Sequence, residues 1–369
     1  MTRRLRCVVT MVVLAAGAPH LPASAAEGPS PPFAAYGSGA AIILDTLRLH
    51  DVQAANVKAA FAGQVVNSLG LDAPTLTESD IAVQPPRRGS QAYARGSGLE
   101  AGLLTPVPAV RDPNQVVLAG VAEAVAPPAG GEVVESMGDV DLGDLASTAA
   151  FRSRARARFD LSSCGSGGVL ASGEGETSSL HLLGPATAGT RAAALPGVSR
   201  TASVTHLVSN GDGTYGVVSE TRQKIAPVSL LGGLVTVELL GEWVLRAAAT
   251  GKPGGARIDY APVGAGPTTT VVRVNGLDVT LQQLLGPSGV VLDLWPIARV
   301  RVGAPARAAF GTRPPRVAAD GTSAFGAVDA VHVALLELPL LGVTGADVRV
   351  GHMEAGVAVP PGGLRCGAG

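Results

Sequence analysis

Short apolar runs separated by turn residues recur along the chain, and they are most regular near its end. Within residues 327–366, Gly345, Gly351 and neighbouring turn residues separate three apolar segments of strand length, at residues 328–336, 346–350 and 355–359. Such runs, bounded by glycine and proline, are typical of β-strands. This stretch therefore predicts three consecutive strands at the end of the fold.

Residues 151–159 show the clearest alternation of polar and apolar positions. Because successive side chains of a strand point to opposite faces, one face receives only arginines and the other receives Phe151, Phe159 and small residues between them. The arginines are Arg152, Arg154, Arg156 and Arg158. Four guanidinium groups are costly to bury without partners, so we expect this face to be exposed to solvent.

Two other segments carry local signals. Asn210-Gly211 lies between apolar runs at residues 203–208 and 214–221, and Asn-Gly favours the tight turn of a β-hairpin. Residues 51–69 are the best helix candidate, because several apolar residues recur near helical spacing: Val52, Ala55, Ala59 and Val66.

The composition favours many short strands over long helices. The chain has 369 residues, 46% of them hydrophobic but only 3% aromatic, with 49 Gly and 27 Pro. We predict an all-β fold of two packed antiparallel sandwich-like regions with at most one or two short helices. The regions are residues 36–225, which are β-rich, and residues 226–369, after a flexible lead at residues 26–35. No cofactor is predicted.

Charge and aromatic content narrow the range of partners. The net charge of −1 at pH 7 predicts no general attraction to nucleic acid. The scarcity of aromatic side chains also argues against a face that stacks on sugars or bases.

The first 25 residues have the three parts of an export signal. Arg3, Arg4 and Arg6 precede an apolar run at residues 7–16, and small residues before Ala26 form a cleavage pattern. The run is shorter than the ~20 residues that a membrane-spanning helix needs, and no other segment reads as transmembrane. The sequence predicts a secreted protein, exported by the general or the twin-arginine route, with no transmembrane segment in the mature chain.

Two cysteines, Cys164 and Cys366, follow the signal. Disulfides persist outside the cell, so an even pair predicts one bond that closes a long loop. Two unpaired or intermolecular thiols are the alternative reading.

Local catalytic motifs are missing, and no catalytic, cofactor-binding or metal-binding residue is predicted. The sequence has no G-x-S-x-G elbow, H-E-x-x-H helix, phosphate-binding loop or C-x-x-C pair. His352 and Glu354 are two residues apart, so a strand presents them on the same side. They could supply two zinc ligands or an acid–base pair, and the plainer reading is a polar pair between strands.

Two sets of oxygen-bearing side chains and the arginine face are candidate binding sites. The sets are Asp139, Asp141 and Asp144, and Asn210, Asp212 and Thr214. Either could bind calcium, although a solvated acidic loop and a tight turn explain them as well. The face formed by Arg152, Arg154, Arg156 and Arg158 could bind an anionic polymer, or could be a solvated surface paired with Glu174, Glu176 or Asp160.

Three glycine-rich stretches resemble exported actinobacterial proteins of the choice-of-anchor type, most closely the choice-of-anchor G group. They are residues 92–103 with 114–128, residues 248–260, and residues 346–366. The resemblance implies a predominantly β surface or extracellular protein without an established activity. Members continue past a GG-x-C motif into a variable wall-attachment signal. Here only Gly367-Ala368-Gly369 follows Cys366, so we expect release or non-covalent retention.

These observations together predict an exported structural or adhesive protein of the cell envelope or extracellular space, without catalytic activity. Cell-wall polymer and other surface proteins are its expected partners. The alternatives are a secreted enzyme acting on cell-wall polymer, and an anionic-glycan binding module that uses Arg152, Arg154, Arg156 and Arg158.

Overall fold

The computed structural model describes residues 32–49, 55–71, 89–103, 117–127, 130–141, 146–159, 168–182, 193–294, 297–309, 315–338 and 343–365. The first eleven strands are β1 (Ala34–Leu49), β2 (Ala55–Asn67), β3 (Ala92–Leu103), β4 (Val117–Ala126), β5 (Gly131–Met137), β6 (Val140–Asp141), β7 (Ala146–Thr148), β8 (Ala150–Ala157), β9 (Val169–Leu182), β10 (Ala193–Ser209) and β11 (Tyr215–Lys224). The later strands are β12 (Val228–Leu230), β13 (Val235–Leu239), β14 (Trp243–Ala249), β15 (Arg257–Pro262), β16 (Thr270–Val274), β17 (Leu277–Thr280), β18 (Val290–Leu294), β19 (Ala298–Val302), β20 (Arg316–Val317), β21 (Ser323–Leu338) and β22 (Val343–Ala358). Two short helices are α1 (Leu281–Leu285) and α2 (Ala304–Ala309).

The strands form two antiparallel sheets that pack face to face, and the predicted all-β fold is confirmed. Sheet A has the order β18-β19-β21-β22-β1-β2-β3-β4, with β20 beside β21. In sheet B, β10 has β9, β8 and β5 on one side and β11, β14 and β15 on the other. The short strands β12, β13, β16 and β17 extend that second side, while β7 pairs with β9 and β6 pairs with β7.

Strands from both sides of the predicted boundary at residues 225/226 contribute to both sheets. The clearest case is β1, which pairs with β22 along almost its whole length and so joins the two ends of the described chain. The predicted hairpin is confirmed: β10 and β11 pair, and Gly211 and Gly213 between them have positive φ.

The predicted helix at residues 51–69 is wrong, because β2 occupies residues 55–67 and is bonded to β1 and β3. The spacing of the apolar residues suggested a helix because the alternation of side chains that face sheet B shifts by one residue within the strand. Val57 and Ala59 face the core between the sheets, and so does Ala60, the very next residue, while Phe61 packs in a separate cluster. Two period-2 runs displaced by one residue resemble helical spacing over a short window.

The same one-residue shift of the alternation continues across the strands of sheet A. Positive φ occurs on alternate strands, at Gly120 in β4, Ala60 in β2 and Gly351 in β22. The predicted turn at Gly351 is therefore wrong, as is the turn at Gly345, because both glycines lie within the single strand β22. Glycine adopts positive φ at little steric cost, so Gly351 shifts the pleat without ending the strand.

Glycine also sets the distance between the sheets. A Cβ on Gly96 of β3 would lie 1.8 Å from the carbonyl oxygen of Glu174 in β9, and one on Gly175 would lie 2.2 Å from that of Phe61. The two backbones thus touch where packed sheets are ordinarily about 10 Å apart. This close approach needs glycine at the contact and leaves no space there for an aromatic side chain, in keeping with the chain's high glycine and low aromatic content.

Candidate functional site

The pleat shift collects polar side chains on the face of sheet A that points away from sheet B, here called the outer face. In β22, Asp347 and Arg349 lie on this face before Gly351, and His352 and Glu354 lie on it after Gly351, while Val348, Val350, Met353 and Ala355 pack in the core. In β21, Asp329 and His332 share the same face although they are three residues apart. An unbroken period of two would separate them.

A chain of four buried polar groups crosses three strands of this face. His352 Nδ1 lies 2.7 Å from Asp329 Oδ1, and His352 Nε2 lies 3.1 Å from Glu354 Oε1. The Ser38 hydroxyl donates to Glu354 Oε2 over 3.0 Å. The register places Asp329 opposite His352, and Glu354 opposite Ser38. All four residues are at most 1% exposed, so the group is enclosed within the protein.

The imidazole of His352 is held as a cation. Burial by itself lowers the pKa of His352, but the carboxylates of Asp329 and Glu354 more than offset that effect and raise the pKa to about 9. Both ring nitrogens then donate to carboxylates, which suits an imidazolium. The arrangement is a buried ion triad in which the hydroxyl of Ser38 satisfies a further carboxylate oxygen.

A second histidine on the same face has a different environment. His332 lies between Arg301, whose Nη1 is 3.2 Å from His332 Nδ1, and Asp347, whose Oδ1 is 2.8 Å from His332 Nε2. Arginine only donates, so Nδ1 must accept and Nε2 carries the proton donated to Asp347. His332 thus lies between one cation and one anion, whereas His352 lies between two anions.

Hydrogen bonds from sheet B fix the strands that carry the triad. Thr221 Oγ1 donates to the carbonyl of Glu354 over 2.9 Å, and Gln223 Nε2 donates to the carbonyl of His352 over 2.7 Å. Ser219 Oγ donates to the carbonyl of Tyr36 over 2.6 Å. All three donors lie on β11, so one strand of sheet B is bonded to the backbone of both β22 and β1 of sheet A.

The sequence predicted that His352 and Glu354 share a side, and the structure brings them together. Sequence reasoning missed Asp329 and Ser38, because nothing in the pattern placed them opposite these residues. Ser38 donates to Glu354 and not to the imidazole, so the set lacks the hydroxyl–imidazole contact of a serine nucleophile. Among the described residues, no group of three or more His, Cys, Asp or Glu side chains could hold a metal ion.

The arginine face lies on sheet B. In β8, Arg152 and Arg156 are exposed and Arg154 is half-exposed, while Phe151, Ser153, Ala155 and Ala157 are buried, so the predicted alternation is confirmed. Arg158 follows the strand and is exposed. Arg154 forms an ion pair with Glu132 of β5 over 3.2 Å. Glu174 and Glu176 lie opposite Arg154 and Arg152 on β9, and Asp160 lies outside the described residues.

In the candidate calcium loop at residues 210–214, the Asp212 carboxylate is already bonded to other residues of the chain. Asp212 accepts from the backbone and hydroxyl of Thr214, and Lys252 bonds its other oxygen. These hydrogen bonds hold the pKa of the Asp212 carboxyl below its usual range. The Lys252 ammonium thus supplies the positive charge to this carboxylate. Of the other set, Asp144 lies outside the described residues.

Cys164 and Cys366 also lie outside the described residues, as does the proposed signal at residues 1–25, and both interpretations stay predictions. Among the described helices, none is long and apolar enough to cross a membrane. A scan of the chain against protein-family models finds no match, and a comparison with curated proteins finds none either.

Proposed function

We propose that the chain is an exported structural or adhesive protein of the cell envelope or extracellular space and that it has no catalytic activity. The observation that carries this proposal is the enclosure of its best acid–base set. Asp329, His352, Glu354 and Ser38 satisfy one another inside the protein, where they stabilise the strands instead of meeting a substrate. Buried ionic groups of this kind must be paired, and here they are.

The cross-bonded sheets support the same role. Side chains of β11 bond to backbone carbonyls of β1 and β22, and the glycines at the sheet interface allow backbone contact. A sandwich held in this way resists separation of its layers. Adhesion would then use the solvent-exposed face of sheet B, where Arg152, Arg156 and Arg158 stand.

Export, membership of the choice-of-anchor G group and a Cys164–Cys366 bond belong to this proposal. The basic, apolar and small-residue parts of residues 1–25 support export. An oxidising compartment would in turn favour the disulfide, which would stabilise the fold by constraining the unfolded chain.

Cell fractionation of a tagged full-length chain tests the location. We expect the protein in the wall or the medium, starting at Ala26, with Cys164 and Cys366 linked in a peptide map made without reductant. A variant lacking residues 2–25 is the control and should stay in the cytoplasm. Full-length chain retained in the cytoplasm with its first 25 residues intact would overturn export, and two free thiols in secreted protein would overturn the disulfide.

The alternative, a secreted enzyme acting on cell-wall polymer, is tested separately. Purified protein is incubated with cell-wall polymer, and soluble fragments are measured. We expect none above the buffer blank. Fragment release that His352→Gln abolishes while the variant stays folded would show that the buried set is catalytic, and would replace the structural proposal.

A further inference from the structure

The solvent-exposed face of sheet B, here called the cationic face, carries charges in register across five strands. Each row takes one residue from each of β5, β8, β9, β10 and β11. The first row is Ser136, Arg152, Glu176, Arg200 and Lys224. The second is Val134, Arg154, Glu174, Ala202 and Arg222. The third is Glu132, Arg156, Ser172, Val204 and Glu220.

In two ion pairs of this face the cation is more exposed than the anion. In the ion pair between Arg200 and Glu174, the side chains are 54% and 19% exposed. In the pair between Arg222 and Glu220, they are 49% and 10% exposed. Arg152, Arg156 and Lys224 are exposed as well. At these two pairs an incoming partner meets the guanidinium group first, whereas in the pair between Arg154 and Glu132 the side chains are similarly exposed, 42% and 45%.

The exposed arginines are also regularly spaced in one direction. Alternate residues of a strand are about 6.6–6.8 Å apart, so Arg152, Arg154 and Arg156 form a straight file along β8, which Arg158 extends past the end of the strand. A linear polymer whose phosphates are joined by three-carbon units repeats its charge at a similar interval. Guanidinium groups bind phosphate oxygens in a fork-like, charge-assisted geometry.

We propose that the cationic face binds a linear phosphodiester polymer of the glycerol-phosphate type, with successive phosphates on Arg152, Arg154, Arg156 and Arg158. Arg200 on β10 and Lys224 on β11, two and three strands away from β8, add to the attraction. This deepens the adhesive role proposed above and relies on it for where the polymer is met, but binding itself does not depend on location.

The composition of the rows favours this partner over a nucleic acid. Single-stranded nucleic acid is held by aromatic side chains that stack on its bases as well as by basic groups. The three rows contain no phenylalanine, tyrosine or tryptophan. A polymer without bases needs only the charges, and those are what this face presents.

The test uses the full chain and poly(glycerol phosphate) as the probe, with binding measured at several salt concentrations. We expect a plot of the logarithm of the binding constant against the logarithm of the salt concentration to have a slope near −3. The four arginines would neutralise about four phosphates of a single-stranded polymer. Replacing Arg152, Arg154, Arg156 and Arg158 by serine should weaken binding at least about tenfold at physiological ionic strength.

A matched control replaces Arg299 and Arg316 by serine, because both lie on sheet A, away from the cationic face. It removes the same charge as the double variant Arg152→Ser and Arg156→Ser, and its affinity should stay within about twofold of the parent. If the variant with all four arginines of the file replaced does not fold, the double variant Arg152→Ser and Arg156→Ser is used instead, since both side chains are exposed. The double variant should lose affinity in the same direction.

Two further probes separate partner classes. Polygalacturonate presents carboxylates at a different interval, and single-stranded DNA presents phosphates together with bases. Tighter binding to poly(glycerol phosphate) than to either supports the proposal. Tighter binding to either of them, no binding of the parent to poly(glycerol phosphate), or equal binding by the parent and the variant with Arg152, Arg154, Arg156 and Arg158 replaced would overturn it. A protein that is exported yet fails this test keeps the structural role and loses only its partner.

Discussion

At the scale of single residues, the most consequential group is the imidazolium of His352. Its two carboxylate partners raise its pKa to about 9 although burial acts in the opposite direction. A proton held more tightly in the folded than in the unfolded chain stabilises the fold. This contribution is complete below the unfolded pKa of 6.5 and is lost as the pH rises through about 9.

We therefore expect the contribution of His352 to the free energy of unfolding to fall by about 3 kcal/mol as the pH rises from below 6.5 to above 9. His352→Gln should cost about 3–5 kcal/mol at neutral pH, because it removes the cation that lies between two buried carboxylates. The variant should also lose this alkaline decline. Urea unfolding at several pH values measures both effects.

His206→Gln is the matched control for this prediction. Burial lowers the pKa of His206, so its contribution to stability is lost as the pH falls, and its replacement should leave the alkaline side unchanged. An alkaline decline of the same size in His352→Gln and the parent would mean that another group causes it.

The residue pattern anticipated part of this site. His352 and Glu354 could be placed on one side because they are two apart within an apolar strand. Asp329 and His332 could not be placed on one face, because that depends on a change of pleat between them. The change is visible only where β21 pairs with β22 and where Ala330 and Val331 both enter the core.

At the scale of elements, β11 connects the two sheets through polar side chains. Thr221, Gln223 and Ser219 each donate to a backbone carbonyl of sheet A. Neighbouring β10 also buries threonines, but Thr205 Oγ1 has no hydrogen-bond partner among the described residues. The two strands therefore offer a direct comparison of a satisfied and an unsatisfied buried hydroxyl.

We expect Thr221→Val to lower the free energy of unfolding by about 1–2 kcal/mol, because it removes the hydrogen bond to the carbonyl of Glu354. Thr205→Val is the control and should be neutral or stabilising, since it removes a buried hydroxyl without a partner in the described part of the chain. Urea denaturation at neutral pH checks both. Equal losses in the two variants would show that the inter-sheet bond adds nothing.

Element prediction succeeded where the signal was local. The hairpin between β10 and β11 followed from Asn210-Gly211, and the alternation of β8 followed from its arginines. The proposed helix at residues 51–69 failed because β2 changes phase at Ala59 and Ala60. The tertiary environment, with a strand bonded on either side, overrode the apparent helical spacing.

At the scale of the whole molecule, the distance between the sheets is set where β3 crosses β9. Gly96 and Gly175 let backbone meet backbone, so the interior has no room there for a side chain. Close packing of this kind leaves little freedom to absorb added volume.

Gly96→Ala should therefore destabilise the protein by about 3 kcal/mol, at the upper end of overpacking costs. Its new methyl carbon would lie 1.8 Å from the carbonyl oxygen of Glu174, which belongs to the rigid backbone of the other sheet. Gly138→Ala is the control, because nothing lies within 4 Å of its Cβ position. Thermal unfolding of both variants measures the difference, and equal melting temperatures would disprove backbone contact between the sheets.

The sequence alone determined the β class, the hairpin turn and the exposure of one file of arginines, because alternation and turn chemistry act over a few residues. Only the tertiary structure decided that β1 pairs with β22, that a pleat shift runs across sheet A, and that Asp329, His352, Glu354 and Ser38 meet. Those features depend on which strands become neighbours and in which register. That choice is made between residues 23 to 316 positions apart, beyond the few residues over which a local pattern acts.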